Sequence, residues 1–120
     1  MKLVAQDIMF VYGWGPEEDG RLSSLLYIVE TAAAMGMKTA VFLFTDGAIL
    51  GKKGTCAKIS EEIDRRFKSI VNEKKSEIFV CEEAARKRGI TKENLEEGLT
   101  IIGYATFLDL ATKAKTVITI

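Results

Sequence analysis

Residues 78–89 read Ile-Phe-Val-Cys-Glu-Glu-Ala-Ala-Arg-Lys-Arg-Gly, and this stretch indicates how the chain folds. A continuous apolar run ends at Cys81, and the segment after it begins with two acids and closes on Gly89, as a short helix does. A strand that is apolar at every position is typical of burial on both faces. The stretch therefore predicts a buried strand that delivers a thiol to the first turn of a helix.

Similar apolar runs occur at Ile8–Tyr12 and Thr39–Phe44, and residues 116–120 predict a terminal strand. The segments between the strands carry apolar residues at helical spacing, and one predicted helix is continuous from about Ala57 to Val71. Thr91 is a capping residue type and predicts a short helix through Leu95. Strands that alternate with helices favour a parallel sheet covered on both faces, so the sequence predicts a single α/β domain over residues 1–120.

The composition excludes several classes of function. The chain has 120 residues, of which 17 are basic and 17 acidic, so no bulk attraction to nucleic acid or an anionic membrane is expected. It contains no histidine, which excludes Ser-His-Asp and Cys-His catalysis and removes the commonest transition-metal ligand. Two cysteines are too few for a disulfide scaffold, and no signal peptide or membrane-length apolar run is present. We therefore expect a cytoplasmic protein with reduced thiols.

The ligand crevice of a parallel sheet lies outside the carboxyl ends of its strands. We therefore expect the loops after the first three predicted strands to meet at one edge, with Cys81 as the reactive residue. Unpaired N–H groups and the helix dipole favour a thiolate there, whereas the charges of Glu82 and Glu83 oppose it. The residues predicted to line this crevice are Gly13, Trp14, Gly15, Asp46, Gly47, Cys56 and Glu82.

Several of these residues also have interpretations without chemistry. A free cysteine such as Cys81 is often a buried small hydrophobe, and Cys56 is either a second relay thiol or, more simply, a packed one. The Gly13-x-Gly15 turn is similar to a dinucleotide-binding loop, but the third glycine is missing and acids follow it. Asp46 either lines the crevice or stabilises its own turn.

Four stretches together carry a resemblance to a known family: residues 15–18 (Gly-Pro-Glu-Glu) leading into a helix, 41–47 (Val-Phe-Leu-Phe-Thr-Asp-Gly), 80–90, and Gly103 onward to the last strand. The chain resembles the DsrE/DsrF-like proteins, small sulfur-relay domains that include sulfur-carrier subunits of tRNA thiolation and of dissimilatory sulfur oxidation. The resemblance implies a three-layer α/β/α fold with a five-stranded, mainly parallel sheet (DsrEFH/YchN-like). Cys81 matches the position of the family's cysteine.

The resemblance also implies a function. Cys81 is expected to accept sulfane sulfur, as a persulfide or thiosulfonate, and to pass it to another thiol-bearing sulfur-carrier protein (TusA-like), which would make the chain a carrier or sulfurtransferase. Self-association as a trimer or hexamer is expected, with Trp14, Tyr104 and Phe107 as candidate contacts, and no metal or organic cofactor is required. Two alternatives stay open: a small-molecule or nucleotide-binding module, and a non-catalytic structural subunit of a hetero-oligomer.

Overall fold

A computed structural model describes residues 5–120 and contains one five-stranded sheet. The strands are β1 (Ile8–Tyr12), β2 (Thr39–Leu43), β3 (Glu77–Cys81), β4 (Thr100–Ile102) and β5 (Thr116–Thr119). They lie in the order β4-β3-β2-β1-β5, and every pairing is parallel. The predicted α/β class and its mainly parallel five-stranded sheet are confirmed.

Helices cover both faces of the sheet. They are α1 (Asp19–Ala34), α2 (Thr55–Ile59), α3 (Glu61–Asn72), α4 (Glu82–Lys87) and α5 (Tyr104–Lys113), and a 3₁₀ helix (Thr45–Gly51) follows β2. From β1 to β4 each strand lies beside the one before it, so right-handed crossovers place the intervening helices on the same face. The connection from β4 to β5 runs back to the opposite edge, which places α5 on the other face.

Strand register assigns the core side chains to these two faces. Phe10, Val41 and Ile78 are register partners and point to one face, which we call the α1 face. Phe42 points to the opposite face, which we call the α5 face, and its ring stacks on Phe107 of α5 with 4.2 Å between ring centroids. Since side chains alternate along a strand, the register fixes the face of every residue in the sheet.

The predicted continuous helix from Ala57 to Val71 is wrong, because the chain breaks at Ser60. This residue is extended (φ −168°, ψ 157°) and separates α2 from α3. Its hydroxyl accepts a hydrogen bond from the backbone N–H of Ile63 at 3.0 Å, which satisfies one of the free donors of the first turn of α3. Ser60 is therefore the N-cap of a new helix.

The predicted helix from Thr91 to Leu95 is also wrong. The amide of Asn94 replaces it with a turn, because its oxygen accepts a hydrogen bond from the N–H of Thr91 and its NH₂ donates to the carbonyl of Gly89. Leu95 then forms an isolated antiparallel bridge with Lys52. This turn leads into β4, which the sequence pattern did not locate.

Candidate functional site

The loops after β1 and β2 touch each other at the carboxyl edge of the sheet. A Cβ atom at Gly47 would lie 2.5 Å from the carbonyl oxygen of Tyr12, and one at Gly13 would lie 2.8 Å from the ring of Phe44. The hydroxyl of Thr45 donates to the carbonyl of Gly13 at 3.0 Å. The structure therefore brings Gly13 and Gly47 together, and Gly47 needs a residue without a side chain because it faces the backbone of Tyr12.

Trp14 and Gly15 continue the β1 loop toward α1. Trp14 is 42% exposed, and the guanidinium of Arg21 lies 4.1 Å from its ring centroid. Gly15 is buried, and its carbonyl accepts a hydrogen bond from the N–H of Glu18 in a turn. These contacts attach the loop to the first turn of α1.

Asp46 makes a contact that the amino-acid sequence does not indicate. Its carboxylate accepts a hydrogen bond from the guanidinium of Arg88 at 2.7 Å, so the loop after β2 is joined to the end of α4. The pair is partly exposed, which limits its contribution to stability to about 1 kcal/mol or less. Asp46 thus holds neighbouring elements together at this edge.

Cys81 is the last residue of β3 and occupies the N-cap position of α4. It is register partner to Ile102 of β4 and in line with Phe79, so its side chain points to the α5 face. The residue is only 1% exposed. The predicted delivery of a thiol from a buried strand to the start of a helix is present in the structure.

The two acids after Cys81 face different partners. Glu83 accepts a hydrogen bond from Arg86 at 2.6 Å and lies 3.7 Å from the ammonium of Lys87. The Arg86 hydrogen bond is the main reason that the pKa of Glu83 is lowered. Glu82 reaches toward Gly103, the N-cap of α5, where its carboxylate oxygen lies 3.5 Å from the place a Cβ would occupy. The charge of Glu83 is therefore offset locally.

Tyr104 is a neighbour of Cys81 that the sequence did not reveal. It opens α5 two residues after Ile102, the register partner of Cys81. Interaction with Cys81 is the largest cause of the raised pKa of Tyr104. The β-branched run Thr100-Ile101-Ile102 before Gly103 was the signal for a strand ending beside Cys81.

Cys56 lies in a different environment from Cys81. It is 2% exposed, and its thiol donates to the carbonyl of Leu50 at 3.8 Å. Burial is the main cause that raises the pKa of Cys56 to about 12. The preceding 3₁₀ helix packs on the α1 face, where a Cβ at Gly51 would lie 2.8 Å from Val80. The structure does not bring Cys56 to Cys81, since the two belong to opposite faces.

An open cleft of about 630 Å³ lies on the same edge but away from Cys81. Its lining has mixed charge and includes Glu17, Asp19, Lys52, Lys53 and Lys58. Within residues 5–120, no group of three His, Cys, Asp or Glu side chains is arranged to hold a metal ion. No helix in that range is long and apolar enough to cross a membrane.

Comparison with known proteins identifies the family. The sequence profile of the DsrE/DsrF-like family matches residues 6–120, nearly the whole chain. The chain belongs to the DsrE/DsrF-like family. This membership confirms the resemblance carried by the four sequence stretches, and the family is in general one of sulfur-relay proteins.

Solved structures share the fold of this DsrE/DsrF-like chain. The ychN protein of Escherichia coli superposes with a TM-score of 0.76 at 19% identity, covering 96% of this chain and 99% of that one. A protein of unknown function from Methanobacterium thermoautotrophicum gives a TM-score of 0.76 at 14% identity, covering 94% and 97%. At these identities the likeness establishes the fold alone.

A relative in sequence is an uncharacterized protein of Methanocaldococcus jannaschii. It is 37% identical over 89 residues, which is 72% of this DsrE/DsrF-like chain. The chain spans only 32% of the length of that relative. The similarity therefore concerns one part of a longer protein.

Proposed function

We propose that this chain carries sulfane sulfur on Cys81 and hands it to the thiol of a partner protein. The observation that carries the proposal is the position of Cys81 at the end of β3, where it is also the N-cap residue of α4. Membership in a family related to sulfur relay supports the same chemistry. The absence of histidine from the sequence means that a nucleophile assisted by imidazole is not available.

The transfer is an ordinary thiol exchange. The Cys81 thiolate attacks the outer sulfur of a donor persulfide, a new S–S bond forms, and the donor's own S–S bond breaks. The electron pair of the broken bond stays on the donor, which leaves as a thiolate, so no oxidant is consumed. Attack by an acceptor thiolate on the outer sulfur then repeats the exchange and restores Cys81.

The surroundings of Cys81 allow a negative charge on sulfur. The carboxylate of Glu83 is paired with Arg86 and Lys87, so its repulsion of a thiolate is reduced. Cys81 is the N-cap residue of α4 and therefore lies at the positive end of that helix's dipole. A thiosulfonate adduct on Cys81 would use the same features, since it is also anionic.

Two kinds of partner follow from the proposal. The donor or acceptor is another thiol-bearing sulfur-carrier protein (TusA-like), which docks over the carboxyl end of β3. The chain also associates with itself as a trimer or hexamer through the α5 face. That face exposes three apolar or aromatic side chains, Tyr104, Leu108 and Val117, at 57%, 57% and 46%.

Intact-mass measurement tests the sulfur-carrier function. The protein is incubated with polysulfide or tetrathionate, and wild type is compared with Cys81→Ser and with the matched control Cys56→Ser. We expect wild type and Cys56→Ser to gain sulfur, and Cys81→Ser to gain none, because Cys56 is buried with a raised pKa. Loss of the adduct after addition of an acceptor thiol completes the test.

The same experiment has clear contrary outcomes. Sulfur addition that persists in Cys81→Ser and disappears in Cys56→Ser would move the function to the other thiol. Addition to neither thiol would contradict sulfur transfer and favour a binding module, for which the cleft beside Lys52 and Lys58 is the place to look.

A further inference from the structure

A second cavity lies at the amino edge of the sheet, at the opposite end of β3 from Cys81. It is a groove of about 680 Å³, and its lining includes residues at the starts of β2, β3 and β4. Its apolar lining residues are Met37, Val71, Ile78 and Phe79. Ligand pockets usually measure about 300–1,000 Å³, so the groove is large enough for a small organic molecule.

Three buried polar residues also line the groove. Gln6, Thr39 and Ser76 are 5%, 3% and 8% exposed. The hydroxyl of Thr39 donates to Ser76 Oγ at 2.8 Å, and the hydroxyl of Ser76 makes a long contact of 3.3 Å with the carbonyl of Glu77. Because the oxygen of Ser76 already accepts a hydrogen bond from Thr39, its own proton can turn to a stronger acceptor in the groove.

The groove is positively charged, although the chain as a whole has equal numbers of acidic and basic residues. Its lining contains three lysines, Lys38, Lys74 and Lys75, and one acid, Glu77. Lys75 lies 4.0 Å from the carboxylate of Glu73. Within residues 5–120, Lys38 and Lys74 form no ion pair. The groove therefore has an excess of two positive charges.

The end of α3 differs from the ends of α1 and α4, although all three have the same backbone. In each, the residue after the C-cap has positive φ, and the next N–H donates back to the last turn, as in the Schellman motif. At α1 and α4 these two residues are a glycine and an apolar residue, Gly36-Met37 and Gly89-Ile90. At α3 they are Lys74-Lys75, and the φ of Lys74 is 54°.

Lys74 is an unfavourable residue for this helix end. A side chain disfavours the left-handed conformation, and glycine is the usual residue there. Positive charge beyond a helix is favourable because of the helix dipole, but Lys75 supplies it without positive φ. The dipole therefore does not explain Lys74, whose side chain lines the groove. Local strain retained beside a cavity is typical of a functional site.

We propose that this groove binds a small organic phosphate, a phosphate monoester whose organic body is apolar. The three lysines and the hydroxyl of Ser76 face the phosphate, and the apolar lining residues face the body. A phosphate monoester carries a charge of about −2 at neutral pH, which matches the excess of two positive charges. Lysine binds phosphate as a point charge. The proposal does not depend on the sulfur-carrier function, since Cys81 lies at the other end of β3.

Titration with phenyl phosphate, followed by the amide NMR signals of the isotopically labelled protein, tests the site. Phenyl phosphate supplies a dianion and an apolar ring, benzoate supplies the ring with a single charge, and inorganic phosphate supplies the anion alone. We expect saturable shifts at Thr39 and at residues 74–77. Phenyl phosphate should bind about tenfold more tightly than either of the other two probes, because only it uses both the charge and the apolar lining.

Substitution of Lys74 separates ligand binding from the helix end. Lys74→Gly removes the strain and the charge, so Tm should rise by about 3–5 °C while the affinity for phenyl phosphate falls about fivefold. Because this variant is expected to be more stable than wild type, unfolding cannot explain its weaker binding. Lys74→Arg keeps the charge and should keep the wild-type affinity. Lys92→Gly is the matched control: Lys92 is exposed and has no positive φ, so its loss should neither raise Tm nor change the affinity.

The double variant Thr39→Val/Ser76→Ala removes both buried hydroxyls at once, so neither is left without its partner. It should bind phenyl phosphate about tenfold more weakly than wild type. No saturable shift with phenyl phosphate, or shifts confined to the cleft at Lys52 and Lys58, would overturn the proposal. A Lys74→Gly variant with a higher Tm and an unchanged affinity would refute the role of Lys74 in binding.

Discussion

The two cysteines of this domain are both buried but belong to opposite faces of the sheet. Cys81 follows Val80, and alternation along β3 turns Val80 to the α1 face and Cys81 to the α5 face. Cys56 is buried under the loop that packs on Val80, where desolvation disfavours its thiolate. Neither the number nor the spacing of the cysteines distinguishes them; the face of the sheet does.

The buried state of Cys56 predicts a dependence of stability on alkaline pH. Its pKa rises from 9.0, the ordinary value of a solvated thiol, to about 12 in the folded protein, so folding is favoured while the thiol is protonated. This contribution is complete below pH 9 and is lost as the pH rises from 9 toward 12, at a slope of at most about 1.4 kcal/mol per pH unit. Urea unfolding of wild type and Cys56→Ala, in reductant and from about pH 7 to pH 10, measures it. Parallel curves for the two proteins would contradict the prediction.

The strands with continuous apolar runs and the terminal strand β5 were predictable from the sequence, whereas β4 was not. β1, β2 and β3 consist almost entirely of buried or half-buried residues. Their apolar runs therefore indicate a strand whichever strands lie beside them. β4 has three residues at an edge of the sheet, and so short a run carries little periodicity of its own. Missing β4 also hid Tyr104, because only the pairing of Cys81 with Ile102 brings α5 to the sulfur.

Other differences arise from local hydrogen bonds that compete with helical periodicity. Ser60 sits inside an amphipathic pattern, yet its hydroxyl and the acids that follow it favour the start of a new helix. The amide of Asn94 satisfies backbone groups that a helix from Thr91 would otherwise use. The meeting of Gly13 with the β2 loop was predictable from topology, whereas the ion pair of Asp46 with Arg88 depends on side-chain positions.

Replacement of glycine by alanine is expected to have opposite effects in the loop after β2 and in α1. Gly47→Ala places a Cβ 2.5 Å from the carbonyl oxygen of Tyr12, and we expect a loss of about 1–3 kcal/mol in the free energy of unfolding. Gly20→Ala, in the first turn of α1, meets no atom within 4 Å and should gain about 0.5 kcal/mol from helix propensity. Denaturant midpoints of the two variants check both signs. Equal stability of Gly47→Ala and wild type would show that the loops can separate freely.

The order of strands leaves the two faces of the molecule unequally covered. Three crossovers add helices to the α1 face, where Arg66 of α3 pairs with Glu30 of α1 at 2.7 Å, whereas α5 alone crosses the other face. The exposed side chains of α5 and β5 therefore have no covering layer within the described chain. Tyr104 lies on this surface and opens α5 just beyond Ile102, the register partner of Cys81, so a contact made by the α5 face would lie close to Cys81.

The unequal cover predicts which surface would mediate the proposed self-association. Leu108, one turn after Tyr104 on the exposed side of α5, is 57% exposed, and Leu108→Glu would bury a charge in any contact made by the α5 face. We expect the variant to become monomeric in light scattering while wild type forms trimers or hexamers. Met35→Glu is the matched control, because Met35 is 66% exposed just after α1 and should leave the assembly intact. A wild-type protein that is monomeric, or an assembly that Met35→Glu disrupts and Leu108→Glu does not, would refute association through α5. Since the proposed sulfur loading depends on Cys81 and not on Leu108, we expect the Leu108→Glu monomer still to accept sulfur in the intact-mass measurement.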